Sequence, residues 1–286
     1  MRICSRPIKI NSQRTSPRIT PFGAVHGRCV VYFHGVPGAP DECRIFDHAG
    51  KTRGLRFICV DRFSVDASIE GEAYYQFLAD EISKEAAGQP VDVVGFSIGA
   101  FVAMQTCRYL PDSVKSLHLV SAAAPLDAGH FLDTMAGKQV FTMAKNFPAA
   151  FWLLSVWQGL MARLAPGLLF RLLFASAAGD DKALVNNREF QLATTRDLKA
   201  CFVGRVRGYM RDVHAYVRPW NTAPSAVTIE THVWHGAKDN WSPVEMAHYL
   251  ARTIPGAASI KIFDGASHYS CLYRAAPEIC ARLSEK

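Results

Sequence analysis

Apolar positions along the chain fall into two alternating kinds of run. Short, nearly unbroken ones cover Arg28–Phe33 (R-C-V-V-Y-F), Arg56–Val60, Val91–Val94 and Val114–Val120, and Val227–Trp234 and Ser259–Phe263 follow later. They are too short for helices and rich in β-branched and aromatic residues, so they read as strands; the unbroken ones suit strands covered on both faces. Between them apolar residues recur every three or four positions, which predicts helices over Glu70–Ala87, Ala100–Leu110, Val244–Thr253 and Pro277–Ser284. Strands that alternate with helices predict an α/β protein with a doubly wound, mostly parallel sheet. In such a sheet ligands bind beyond the C-terminal ends of the strands.

The alternation breaks for about a hundred residues between Ser121 and Val227, far more than a crossover needs. The middle of this stretch, from Phe147 through Trp157 to Phe174, is the most apolar part of the chain. A membrane span needs about twenty largely uncharged residues, and Arg163, Pro166 and Arg171 interrupt the run. Helices that fold over the sheet are expected instead, one starting near Pro148 and a break near Gly167. Most of their side chains should pack as core, while Phe151, Trp152, Trp157 and Leu160 are expected to line a substrate pocket; contact with a lipid surface is the weaker reading. The chain thus divides into an N-terminal arm or edge strand (1–24), a core (25–126 and 223–286) and a helical insertion (127–222). With 286 residues, 49% of them hydrophobic, one domain suffices.

Candidate chemistry sits where strands run into loops. Gly95-Phe96-Ser97-Ile98-Gly99 stands between the Val91 strand and the Ala100 helix, the context in which G-x-S-x-G forms a sharp turn that exposes its serine. That string arises by chance in roughly one of ten chains of this length, so its weight comes from its neighbours. His34-Gly35-Val36-Pro37-Gly38 follows the Arg28 strand, where the N–H of Val36 can join that of Ile98 in holding an oxyanion. Standing alone, it would be an ordinary Pro-Gly turn. His235-Gly236-Ala237-Lys238-Asp239 follows the Val227 strand, and Asp264-Gly265-Ala266-Ser267-His268 follows the last. An aspartate on one loop can fix a histidine on the next, which makes Ser97, Asp239 and His268 a nucleophile, acid and base in the chain order of one fold. Asp127 is a rival acid. His235, His214 and His248 rival His268, but none follows the final strand.

On H-G-V-P-G, G-F-S-I-G, H-G-A-K-D-N-W-S-P and G-A-S-H, the sequence resembles the α/β-hydrolase superfamily over roughly residues 25 to 286. The resemblance implies an oxyanion hole at Val36 and Ile98, a triad of Ser97, Asp239 and His268, a cap or lid in the long insertion, and no metal or organic cofactor. It departs at Asp61-Arg62-Phe63-Ser64-Val65-Asp66-Ala67-Ser68, where many members carry D-R-x-G-x-G-x-S and both glycines are missing here. The expected activity is cleavage of an apolar carboxylic ester through an acyl-enzyme. The same triad would also serve carbon-carbon hydrolysis, aminopeptidase or acyltransferase chemistry. H-G-V-P-G slightly resembles the H-G-G-P-G of proline iminopeptidases. A receptor or lyase derived from such a hydrolase is the alternative from another class.

Charge narrows the partners. Of the net +7, six basic residues (Arg2, Arg6, Lys9, Arg14, Arg18, Arg28) lie in the first forty positions with no acid, leaving the other 246 at +1. A nearly neutral body disfavours nucleic acid, and the expected partner is the small apolar ester or related carbonyl substrate that the apolar insertion and the resemblance imply. The first twenty residues have no apolar run long enough for a secretory signal, and their composition only faintly resembles a transit peptide. Eight cysteines show no C-x-x-C pair and no Cys/His cluster has zinc-ligand spacing, which suggests buried thiols in the cytoplasm and no metal.

Overall fold

A computed structural model describes residues 17–285. Its centre is a seven-stranded sheet: β1 (Ile19–Gly23), β2 (Arg28–Phe33), β3 (Leu55–Val60), β4 (Val91–Phe96), β5 (Val114–Val120), β6 (Thr231–Gly236) and β7 (Ala257–Phe263). The spatial order is β1-β3-β2-β4-β5-β6-β7, parallel throughout except for β1, which runs antiparallel along β3 with Ile19 opposite Val60. β4 and β6 are buried at every position, as a strand covered on both faces requires, whereas β7 at the edge is largely open. This is the mostly parallel α/β sheet that the apolar runs predict.

Twelve α-helices accompany the strands among the described residues. On the sheet lie α1 (Asp47–Thr52), α2 (Glu72–Glu85) and α3 (Ile98–Cys107). The segment between β5 and β6 holds α4 (Lys138–Asn146), α5 (Pro148–Leu164), α6 (Pro166–Leu173), α7 (Asp181–Leu184), α8 (Arg188–Phe202), α9 (Val206–Val217) and α10 (Thr222–Ser225). The chain closes with α11 (Val244–Thr253) and α12 (His268–Ser284). Pro148 opens α5 as expected, at the first position, where its missing N–H costs nothing. The break lies at Ala165 rather than at Gly167, because Pro166 opens the next helix in the same way.

Two boundaries differ more. The strand expected over Val227–Trp234 begins only at Thr231, because the Val227 carbonyl accepts from Gly256 N–H in a loop before the ladder to β7 starts. The closing helix, expected from Pro277, begins nine residues earlier at His268 and carries Pro277 in its interior. Arg28, one of the basic residues of the N-terminal region, forms a two-pronged ion pair with the buried Asp92 of β4 and donates to the Leu283 carbonyl, tying α12 to the sheet. Arg2, Arg6, Lys9 and Arg14 lie outside the described residues.

Candidate active site

β4 delivers Ser97 into the turn before α3. The serine has φ 56° and ψ −129°, left-handed space that a non-glycine residue enters only when its surroundings force it. Those surroundings are backbone. A Cβ on Gly95 would lie 2.6 Å from Ala100 Cα, and one on Gly99 would lie 2.3 Å from the carbonyls of Phe33 and His34. Both flanking glycines are therefore required by close approach. The turn is held by Ser97 N–H donating to Val120 O (3.0 Å) and by Ala100 N–H donating to Ser97 O (3.0 Å).

On the acid side, Asp239 is buried and its carboxylate accepts three hydrogen bonds. Oδ1 accepts from the N–H groups of Trp241 and Ser242 at 2.9 Å each, and Oδ2 accepts from His268 Nδ1 at 2.8 Å. Burial alone would raise the pKa of this carboxyl; the facing His268 and its hydrogen bond, with His235 and Ser242 N–H, hold it below the usual value. Asp239 is therefore ionised and accepts from His268 Nδ1, which leaves Nε2 on the other side of the ring, outside that bond. The imidazole lies between Phe96, the residue before Ser97, with ring centroids 4.8 Å apart, and Trp241, which stacks on it at 5.3 Å. Among the described residues no hydrogen bond joins Ser97 Oγ to His268.

Each rival residue has another place, His248 at an exposed position of α11. Asp127 is solvent-exposed and Asp239 holds the histidine in its stead. His235 is buried, donates from Nε2 to Ser242 O (2.7 Å) and lies 3.6 Å from Asp239 Oδ2; burial lowers its pKa, so it braces the acid loop as a neutral ring. His214 packs edge-on against Phe151 in the insertion.

Ser97 lines a partly open cavity of about 80 Å³. Val36, Pro37 and Ile98 line it from the body, Met135, Phe141, Gln158, Leu173, Tyr209 and Val213 from the insertion, and Trp241 and Ser242 from the acid loop. Both expected oxyanion donors thus border the same space as the serine. The four insertion residues expected to line the pocket do not. Phe151 is fully buried against Tyr209 and His214, Trp152 faces a separate groove, and Trp157 and Leu160 point to solvent. The apolar run did not mark which side of α5 turns inward, and Gln158 is the α5 residue that reaches the cavity.

The glycine-free loop after β3 also finds an explanation. Arg62 is buried and pairs with Asp212 of α9 (2.7 Å) while donating to Gly35 O (3.3 Å); Arg211 reaches back to Arg62 O (2.8 Å). The close approach that loop glycines would allow is made on the helix side instead: a Cβ on Gly208 would lie 2.5 Å from Phe63 O. The H-G-V-P-G loop is further braced by Glu42, which accepts from Gly35 N–H (2.8 Å) and Tyr32 Oη (2.7 Å) and whose pKa burial raises to about 7. Neither Glu42 nor the Arg62–Asp212 pair stands out in the sequence, where the ion pair spans 150 positions.

Such a sheet, with a serine elbow at the end of its fourth strand, defines a hydrolase enzyme of α/β architecture. The chain belongs to the alpha/beta hydrolase family, whose sequence profile matches residues 30–283. Similar solved structures include an esterase from Exiguobacterium antarcticum, at 18% identity over 94% of this chain and 95% of that one, with a TM-score of 0.67. A bromoperoxidase from Bacillus anthracis is similar at 20% identity over 93% of each chain, and a meta-cleavage product hydrolase at 17% over 94% of each, both with a TM-score of 0.67. At these identities what is shared is the fold. Among curated proteins no sequence relative matches.

Proposed function

We propose that the protein is a serine hydrolase that cleaves a small apolar carboxylic ester through an acyl-enzyme. The observation that carries this reading is the ionised, buried Asp239 accepting from His268, together with a serine held in strained backbone that lines an apolar cavity. In the proposed mechanism His268 takes the Ser97 proton as Ser97 attacks the carbonyl carbon, and Asp239 stabilises the imidazolium. The N–H groups of Val36 and Ile98 hold the oxyanion, each such donor being worth about 3 to 4 kcal/mol of barrier. His268 then passes the proton to the leaving alcohol, and water activated by the same ring releases the acyl group.

The cavity sets the acyl size. At roughly 10–15 Å³ per water-sized site, 80 Å³ holds only about half a dozen non-hydrogen atoms, so a short acyl chain is favoured. In this reading the inserted helices act as the lid and supply most of the acyl wall. The esterase among the structural neighbours agrees with ester chemistry. The seven described cysteines are all free and buried, which supports a reducing compartment such as the cytoplasm. The test is fluorophosphonate labelling followed by p-nitrophenyl esters of graded chain length. Labelling at Ser97, steady turnover that peaks at short acyl chains, and loss of both in Ser97→Ala are expected. Labelling elsewhere, or more than a few per cent of the rate surviving in Ser97→Ala, would reject the assignment.

A further inference from the structure

The insertion is built with an apolar face turned outward. On α5, Trp152, Leu153, Val156, Trp157, Leu160 and Leu164 share one side of the helix and are 42–71% exposed, while Phe151, Ser155 and Ala162 are buried on the other. Leu168 and Leu172 continue the exposed surface along α6 at 43% and 52%. Scattered surface leucines need no explanation, but a contiguous set of this size on adjoining helices marks a contact surface. No helix among the described residues is long and apolar enough to cross a membrane, so such a surface would meet a bilayer lying flat.

Charge selects the occupant. Between Asp133 and Asp180 the chain has no acidic residue, while Lys138, Lys145, Arg163 and Arg171 are all basic. Trp152 also borders a groove of about 1250 Å³ whose rim carries Lys145, Arg207 and Arg218, against the carboxylates Asp66 and Glu70. Lys145, Arg163, Arg171, Arg207 and Arg218 are exposed and form no ion pair among the described residues. A second copy docked through the same patch by two-fold symmetry would bring these unpaired cations face to face with no acid from the segment to offset them. A surface at once apolar and anionic satisfies both halves of the pattern. We propose that the α5–α6 face docks on an anionic lipid bilayer, with its tryptophans and leucines at the acyl boundary and its arginines and lysines among the headgroup phosphates.

The test is co-sedimentation of the full chain with vesicles of phosphatidylcholine alone and of equimolar phosphatidylcholine and phosphatidylglycerol, with the tryptophan emission of the bound protein recorded. Binding to the anionic vesicles, released by salt and accompanied by a blue shift, is expected. At about fivefold per cation, Arg163→Gln with Arg171→Gln should weaken partition about twenty-five-fold. Leu153→Ser with Leu164→Ser, both at exposed positions where folding is little affected, should weaken it at least about tenfold. Binding does not depend on the proposed chemistry, so Ser97→Ala should bind as the wild type does. Three results would overturn the proposal: no partition into anionic vesicles, equal partition into both vesicle types, or a wild-type dimer in analytical ultracentrifugation that the two leucine substitutions dissociate.

Discussion

Two residues bear directly on the proposed chemistry and differ in how they do so. Asp239 orients His268, and replacing it by asparagine keeps the loop but offers an amide where the Nδ1 proton needs an acceptor. In the serine-protease template that exchange costs about ten-thousandfold in kcat. Asp239→Asn should approach that loss in ester hydrolysis, while Asp127→Asn, at an exposed position, should stay close to wild type. The reverse ranking would transfer the acid to Asp127. Glu42 acts through the backbone of the H-G-V-P-G loop and through its own proton. Its pKa is about 7 in the folded chain against an ordinary 4.5, so the native state holds a proton that the unfolded chain has already lost. Stability from this group is complete below pH 4.5 and declines as pH rises towards about 7, because the buried carboxyl must then ionise. Across that interval the melting temperature of the wild type should fall steadily relative to that of Glu42→Gln; parallel curves would show that Glu42 contributes no such linkage.

At the level of elements, the proposed base depends on a helix start that the insertion secures. α12 begins at His268, and Asp181 of α7 accepts from Tyr269 N–H (3.0 Å), Ser270 N–H (2.7 Å) and Ser270 Oγ (2.6 Å). Phe174 and Phe190 pack on Tyr269 from the same segment. Asp181→Ala would leave buried donors unpaired at a cost of about 1–3 kcal/mol each and loosen the turn that carries His268. It should lower both melting temperature and kcat with little change in KM, and Asp181→Asn, which keeps an acceptor, should restore part of both. A variant with lowered stability but unchanged kcat would make Asp181 a structural cap only. The same contact explains what the sequence could not tell about this helix. Pro277 reads as a helix start by its own preference, and the partner that extends the helix back to His268 lies 88 positions earlier. The strands were legible because burial on both faces writes itself into short apolar runs, and the loops that carry Ser97, Asp239 and His268 because each follows such a run. The inward face of α5, the Arg62–Asp212 pair and the Asp181 cap were not, since each depends on a distant partner that leaves no periodic trace.

Across the whole molecule, the sheet supplies rigidity and the loops at one end supply reactivity, and Ser97 is where the two meet. Its backbone is bent into a region where a Cβ is unwelcome, and strain of that kind is worth of order 1–3 kcal/mol, sustained because packing around Gly95 and Gly99 leaves the chain no other path. Glycine would relieve the strain, offset in part by the roughly 0.5–1 kcal/mol of extra freedom it returns to the unfolded chain. Ser97→Ala keeps the Cβ and with it the strain, so Ser97→Gly should melt above Ser97→Ala in calorimetry, and equal midpoints would mean that the turn is relaxed. On the proposed chemistry the fold is then at its most durable when it is inert: a search for heat resistance that ignored turnover would discard the proposed nucleophile early, and only selection for that activity would keep serine there.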